Sequence, residues 1–198
     1  MLYNKINCEK FYSAQQINEL SNPLILSVGN LIESKNHKLL IESMKNINAN
    51  LLIIGKGELY ESLRELIKSM ELEKKITILQ SVPHEKITSY YKTADIFALA
   101  YDPNQEGLPM PVIEAMASGT PVIVPESEDS MELQESVIFA KRNVEEFTRK
   151  INELLKNKTK REEYSMKCVE TAKRFDISKI EKREAEIYQE LIKNGKII

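Results

Sequence analysis

Six short runs of branched apolar residues, each separated from the next by a longer stretch, confine this chain to one kind of architecture. The runs are LILSVG (Leu24 to Gly29), LLIIG (Leu51 to Gly55), ITIL (Ile76 to Leu79), DIFALA (Asp95 to Ala100), PVIV (Pro121 to Val124) and VIFA (Val137 to Ala140). Most are continuous rather than alternating, the pattern of strands covered on both faces. Between the first two runs, Leu39, Leu40, Met44 and Ile47 share one helical face; between the second and third, Leu59, Leu63, Leu66, Ile67 and Met70 do the same. Strand, helix, strand repeated in this way requires right-handed crossovers. The expected fold is therefore α/β: a single Rossmann-like domain whose parallel sheet of about six strands carries helices on both faces.

After Ala140 only helical spacing remains, in Val144, Phe147, Ile151 and Leu154 and again in Ile180, Ile187, Tyr188 and Leu191. Polar breaks at Asn157 to Lys160 and at Phe175 to Ser178 separate these C-terminal helices, with Asp176 or Ser178 as the cap of the last. No repeat or second core is visible. The division expected is a lead-in segment over 1–22 without clear period, the domain over 23–175 and a terminal helix over 176–198.

Charge is nearly balanced, 28 Lys+Arg against 30 Asp+Glu, so no basic field follows a phosphate backbone and no nucleic-acid partner is expected. A small anion can still bind locally. No apolar run is long enough to span a bilayer, and the opening MLYNKINCEK lacks the apolar core and cleavage site of a signal peptide, which predicts a cytoplasmic protein. Cys8 and Cys168 stand far apart without a neighbouring Cys or paired His and read as two reduced thiols rather than as a disulfide or a zinc site.

In an open doubly wound sheet, ligands collect beyond the carboxyl ends of the strands. The loop after the first run, Gly29 to His37, offers a glycine for close backbone approach, Lys35, and the start of a helix whose free N–H groups favour an anion. Neither a G-x-G-x-x-G nor a Walker A sequence is present. The second loop, Gly55-Lys56-Gly57-Glu58, is too short to cradle a phosphate and reads equally as a tight strand-to-helix turn. After the fourth run, Glu106 precedes a glycine in a stretch that two prolines keep from being helical, and Glu114 falls inside the short helix that follows, with Pro111 suited to its first turn and Gly119 to its end. The two carboxylates thus flank a turn and a helix N-terminus. Carboxylates accept from the paired hydroxyls of a ribose or hexose, and free N–H groups between them hold a diphosphate without a metal, an arrangement suited to a nucleotide sugar; taken alone, the pair reads instead as a surface-loop carboxylate at Glu106 and a solvated or helix-capping one at Glu114.

The segment EGLPMPVIEAMASGTPVI closely resembles the E-x7-E segment of retaining glycosyltransferases of the GT-B fold, in the large family 4. LILSVGNLIESKNHKLLIESM is similar to that family's first strand and phosphate loop, LLIIGKGELYESLREL to its second unit, and ITILQSVPHEKITSYYKTADIFALA to its third and fourth strands. The resemblance implies a nucleotide-sugar (UDP-, GDP- or ADP-sugar) site without metal or other cofactor. Gly29 and Asn30 lie on its phosphate loop, and Lys35 holds the donor diphosphate. Glu106 meets sugar hydroxyls, with the stretch Gly107, Leu108, Pro109 and Met110 and the backbone N–H groups around it lining the pocket, and Glu114 binds the ribose. The segment Gln80 to Pro83, with Val82, lies against the base. Lys35 and Glu106 carry the catalytic roles, the lysine stabilising charge that develops on the leaving diphosphate. Transfer is front-face, with no enzymic nucleophile on this half.

Three features depart from the family. Asn30 stands where an arginine is usual, extra residues at Asp102 to Gln105 precede Glu106 and bear on sugar selection, and an acidic stretch from Glu126 to Glu132 replaces a glycine-rich loop. The resemblance covers only the donor-binding lobe of a two-lobed enzyme. Expected partners are an acceptor domain, in a longer parent chain or a separate one, with peripheral membrane contact through that lobe, and self-association through Ile180, Ile187 and Leu191. The alternative function is a non-catalytic nucleotide-sugar-binding or interaction module; Lys35, Glu106 and Glu114 together favour the enzyme, Asn30 and the acidic stretch the module.

Overall fold

Each apolar run becomes a strand: β1 Leu24–Val28, β2 Asn50–Ile54, β3 Ile76–Leu79, β4 Ile96–Ala98, β5 Val122–Pro125 and β6 Ile138–Ala140. The computed structural model describes residues 5–20, 23–126, 133 and 135–193. All five strand pairings are parallel, in the order β3-β2-β1-β4-β5-β6, with β1 and β2 in register from Leu24 opposite Asn50 to Val28 opposite Ile54.

A continuous apolar run buries two faces because successive side chains on a strand point to opposite sides. Leu24 and Leu26 of β1, Leu52 and Ile54 of β2, and Val122 and Val124 of β5 pack into one core; Ile25, Leu51, Ile53 and Ile123 pack into the other. Side chains as inaccessible as Leu26 and Ile53 each contribute about 1.5–3 kcal/mol. The first core is covered by α1 Cys8–Tyr12, α4 Ile87–Thr93, α5 Met110–Ala117 and α7 Lys158–Ala172, the second by α2 His37–Ser43, α3 Tyr60–Ser69 and α6 Val144–Lys156. The amphipathic stretches thus become the two helical layers.

The expected break at Asn157 to Lys160 shrinks to one residue. Asn157 ends α6 and caps α7, accepting the Lys160 N–H at 2.9 Å, and its extended backbone is enough to stop one helix and begin the next. Asp176 caps α8 (Ile177–Lys193), accepting from the Ser178 N–H at 3.1 Å and hydroxyl at 2.6 Å. Within α8 only Ile180 is buried; Ile187 and Leu191 are partly exposed, and Tyr188 and Ile192 largely so.

Residues 5–20 lie on the same body. Ile6 and Phe11 are buried, the Ile6 N–H donates to the Phe175 carbonyl at 3.0 Å, and the Ile177 N–H returns to the Ile6 carbonyl at 2.8 Å. The acidic stretch expected after β5 falls, from Ser127 to Glu132, outside the described residues.

Candidate functional site

The order of the strands creates a crevice. The chain builds β1, β2 and β3 outward and then returns to lay β4 on the other side of β1, so the loops leaving β1 and β4 diverge at a topological switch point, where ligands of open α/β sheets bind.

The loop after β1 runs from Gly29 through a single 3-10 turn, Glu33–Lys35, to Asn36, whose left-handed backbone (φ 49°) starts α2. Lys35 is 8% exposed. Gly29 is half-buried and Asn30 exposed. The loop after β2 braces this one from behind: the Leu31 N–H donates to the Lys56 carbonyl at 2.7 Å, and the Leu59 N–H to the Leu31 carbonyl at 3.0 Å. A Cβ on Gly55 would stand 1.9 Å from the Gly29 carbonyl oxygen, and one on Gly57 2.3 Å from that of Leu31. Gly55-Lys56-Gly57 is therefore glycine-rich because two backbones meet there.

The loop after β4 carries Glu106, whose Oε2 accepts from Lys35 Nζ, 71 residues away in sequence. Glu106 lies outside any helix and Glu114 within α5, as the prolines imply. Pro109 is the N-cap of α5, Pro111 sits in its first turn, and Gly119 (φ 77°) follows its last residues. Pro109 is buried, Leu108 and Met110 half-buried and Gly107 exposed.

Glu114 is half-buried, and the hydroxyl of the fully buried Tyr91 donates to its Oε2 at 2.7 Å. Burial raises the Glu114 carboxyl above the ordinary glutamate value, opposed by that bond and by the charge of His84. The Tyr91 phenol is pushed well above its ordinary range by burial and by the charge of Glu114. His84 lies two residues beyond Val82, so the segment after β3 reaches the neighbourhood of Glu114; Val82 itself is half-buried against the first core.

Beneath the β1 loop, His37 is 2% exposed, its Nδ1 3.3 Å from the Ser27 hydroxyl. Burial lowers its pKa to about 4, against the Gly29 and Asn30 backbones, which raise it. The imidazole is neutral at neutral pH.

Sequence reasoning missed Tyr91, His84, His37 and Arg142. Arg142 was discoverable, because it stands two residues past β6 at the carboxyl edge of the sheet; its Nε donates to the Ala100 carbonyl at 3.0 Å. Nothing in the spacing ties Tyr91 of α4 to Glu114 of α5. Among the described residues, no group of three or more His, Cys, Asp or Glu is arranged to hold a metal ion. No helix among them is long and apolar enough to cross a membrane.

The fold matches solved glycosyltransferase structures. Anabaena Alr3699/HepE in complex with UDP superposes with a TM-score of 0.85 at 18% identity, over 96% of this chain and 57% of that one. An uncharacterized glycosyltransferase of Haemophilus influenzae is 32% identical over 150 residues, covering 70% of this chain and 41% of the relative. The O-antigen chain mannosyltransferase RfbU of Salmonella typhimurium is 35% identical over 127 residues, 63% of this chain and 34% of the relative. The chain thus spans less than half the length of these two relatives. Residues 9–175 match the family described as glycosyl transferases group 1, and the chain belongs to that family.

Proposed function

We propose that this chain is the donor-binding half of a retaining glycosyltransferase of family 4, which moves a sugar from a nucleoside diphosphate to a hydroxyl acceptor. The observation that carries this reading is the meeting of Lys35 and Glu106 at the switch point, one on the loop after β1 and the other on the loop after β4. A buried lysine beside a carboxylate suits the junction between diphosphate and sugar. Its charge stabilises the leaving diphosphate, while the carboxylate accepts from sugar hydroxyls. The start of α5, at Met110, adds its dipole to the same charge, and Glu114, held at one oxygen by Tyr91, keeps the other for the ribose.

During transfer the bond from the anomeric carbon to the diphosphate breaks, and a bond to the acceptor oxygen forms on the same face. The acceptor proton passes to the departing phosphate oxygen. No metal is required, since Lys35 and the start of α5 supply the positive field. Acceptor-binding residues belong to a second lobe outside this chain, in a longer parent or a partner. UDP is the first nucleotide to test, because the Anabaena protein was solved with UDP and with UDP-glucose.

The test is a thermal-shift panel of UDP, GDP, ADP and their sugars. A ligand that binds only the folded state stabilises it by RT ln(1 + [L]/Kd), so one nucleotide raises the melting temperature. Glu114→Ala abolishes the shift. Cys168→Ala, a change in a buried thiol of α7, lowers the melting temperature but leaves the shift intact. No shift with any member at millimolar concentration contradicts the reading.

A further inference from the structure

We propose that Asp102 and Arg142 form a clamp that positions Glu106, and through it Lys35, for the sugar of the donor. This rests on the donor-binding reading.

Glu106 stands on a stretch with no helix or strand of its own, so its direction is set by whatever fixes that loop. Asp102 fixes it at both ends. Its N–H donates to the Ser34 carbonyl at 2.6 Å, tying it to the residue before Lys35, and its carbonyl accepts the Glu106 N–H at 3.2 Å and the Gln105 N–H at 3.1 Å. One residue thereby joins the two segments whose side chains pair. The Asp102 carboxylate closes the loop on itself, accepting from the Asn104 N–H at 3.0 Å, the Asn104 amide at 3.2 Å and the Gln105 amide at 3.0 Å.

Arg142 anchors this loop from a third element. Its Nε holds the Ala100 carbonyl at 3.0 Å, and a terminal nitrogen stands 3.5 Å from Asp102 Oδ2. The side chains are 34% and 17% exposed, sheltered enough for the pair to hold a fixed geometry. The Asn104 N–H and the Arg142 charge keep the Asp102 carboxyl below its ordinary value, so the clamp stays ionised at neutral pH. Removing Arg142 takes away the anchor that the segment after β6 gives the turn around Asp102, so the turn opens more often and Glu106 is freed to leave Lys35.

Asp102 and Arg142 are positioning residues, and their variants separate the sugar from the nucleotide. UDP and UDP-glucose are titrated into the wild-type chain, Arg142→Met, Arg142→Lys and Asp102→Asn. Arg142→Met loses affinity for UDP-glucose about tenfold more than for UDP, as expected when one charge-assisted bond to the sugar fails, and Arg142→Lys recovers part of the difference. Asp102→Asn, which keeps the turn but not the ion pair, falls between. Equal losses for both ligands, or none, overturn the clamp while leaving donor binding intact.

A ligand-free readout decides the case in which wild type binds neither ligand. By amide hydrogen exchange, Arg142→Met speeds the Gln105 and Glu106 amides at least about tenfold and leaves Leu26 in β1 unchanged. Unchanged exchange at Gln105 and Glu106 overturns the clamp whatever the ligands do.

Discussion

Tyr91 of α4 donates its hydroxyl to Glu114 of α5 across 2.7 Å, from a ring with no exposure to solvent. A carboxylate beside a buried phenol has one oxygen committed and one free, which fixes its direction. Tyr91→Phe leaves the half-buried carboxylate short of a donor, and a hydrogen bond to a charged group contributes about 1.5–3 kcal/mol. Urea unfolding is expected to lose stability in that range, with weaker nucleotide binding in the folded variant. An unchanged midpoint contradicts the role given to this bond.

The Glu114 carboxyl is raised by burial, and the sign of its pH effect follows. The folded state binds this proton more tightly than the unfolded one, so the contribution to stability falls as pH rises from 4.5 through the folded value. Glu114→Gln removes that fall. Binding of UDP runs the opposite way, tightening over the same window as the carboxylate ionises to accept from the ribose. Titrations between pH 4.5 and 7 check both directions.

His37 titrates with the other sign. Its folded pKa of about 4 lies below the ordinary 6.5, so protonation favours the unfolded chain. Its contribution is fully present above 6.5 and is lost as pH falls towards 4, roughly 3 kcal/mol in all. A His37→Gln variant, whatever its absolute stability, shows a flatter dependence between pH 6.5 and 4. A slope equal to wild type contradicts a neutral buried imidazole.

The bracing of the β1 loop has a steric test. Gly55→Ala and Gly57→Ala each press a methyl against backbone, and overpacking of this kind destabilises by about 1–3 kcal/mol. Calorimetric melting is expected to show losses of that size, with reduced UDP binding because Gly29 to Lys35 is displaced. Melting unchanged in both variants contradicts the close approach.

Asn30 is exposed on the same loop. Asn30→Arg adds a cation facing the proposed diphosphate, and an exposed ion pair contributes about 0.2–1 kcal/mol, or up to about fivefold in affinity. The gain shrinks as salt rises. UDP titrations at low and high salt are the measurement, and unchanged affinity at low salt contradicts the placement of the loop.

The sheet was legible because strands buried on both faces leave continuous apolar runs, and all six, from LILSVG to VIFA, form strands. The separation of Glu106 from Glu114 was legible through Pro109, Pro111 and Gly119, which mark the limits of α5 locally. Contacts between distant elements left no local mark. The reason for Gly55 and Gly57 lies in the backbone of another loop, Tyr91 meets Glu114 only when two helices share a core, and Arg142 reaches the β4 loop only once β6 is in place. The single-residue joint at Asn157 escaped because capping needs one side chain, whereas a polar run suggested a longer break.

The central claim, donor binding at the switch point, is tested most directly by calorimetric titration of UDP, GDP and ADP into the wild-type chain and Glu114→Ala, with EDTA throughout. The prediction is saturable one-to-one binding of at least one nucleotide by wild type without metal, weakened at least about tenfold by Glu114→Ala. No binding of any nucleotide at millimolar concentration by the folded chain, or equal affinity in the two proteins, would contradict it.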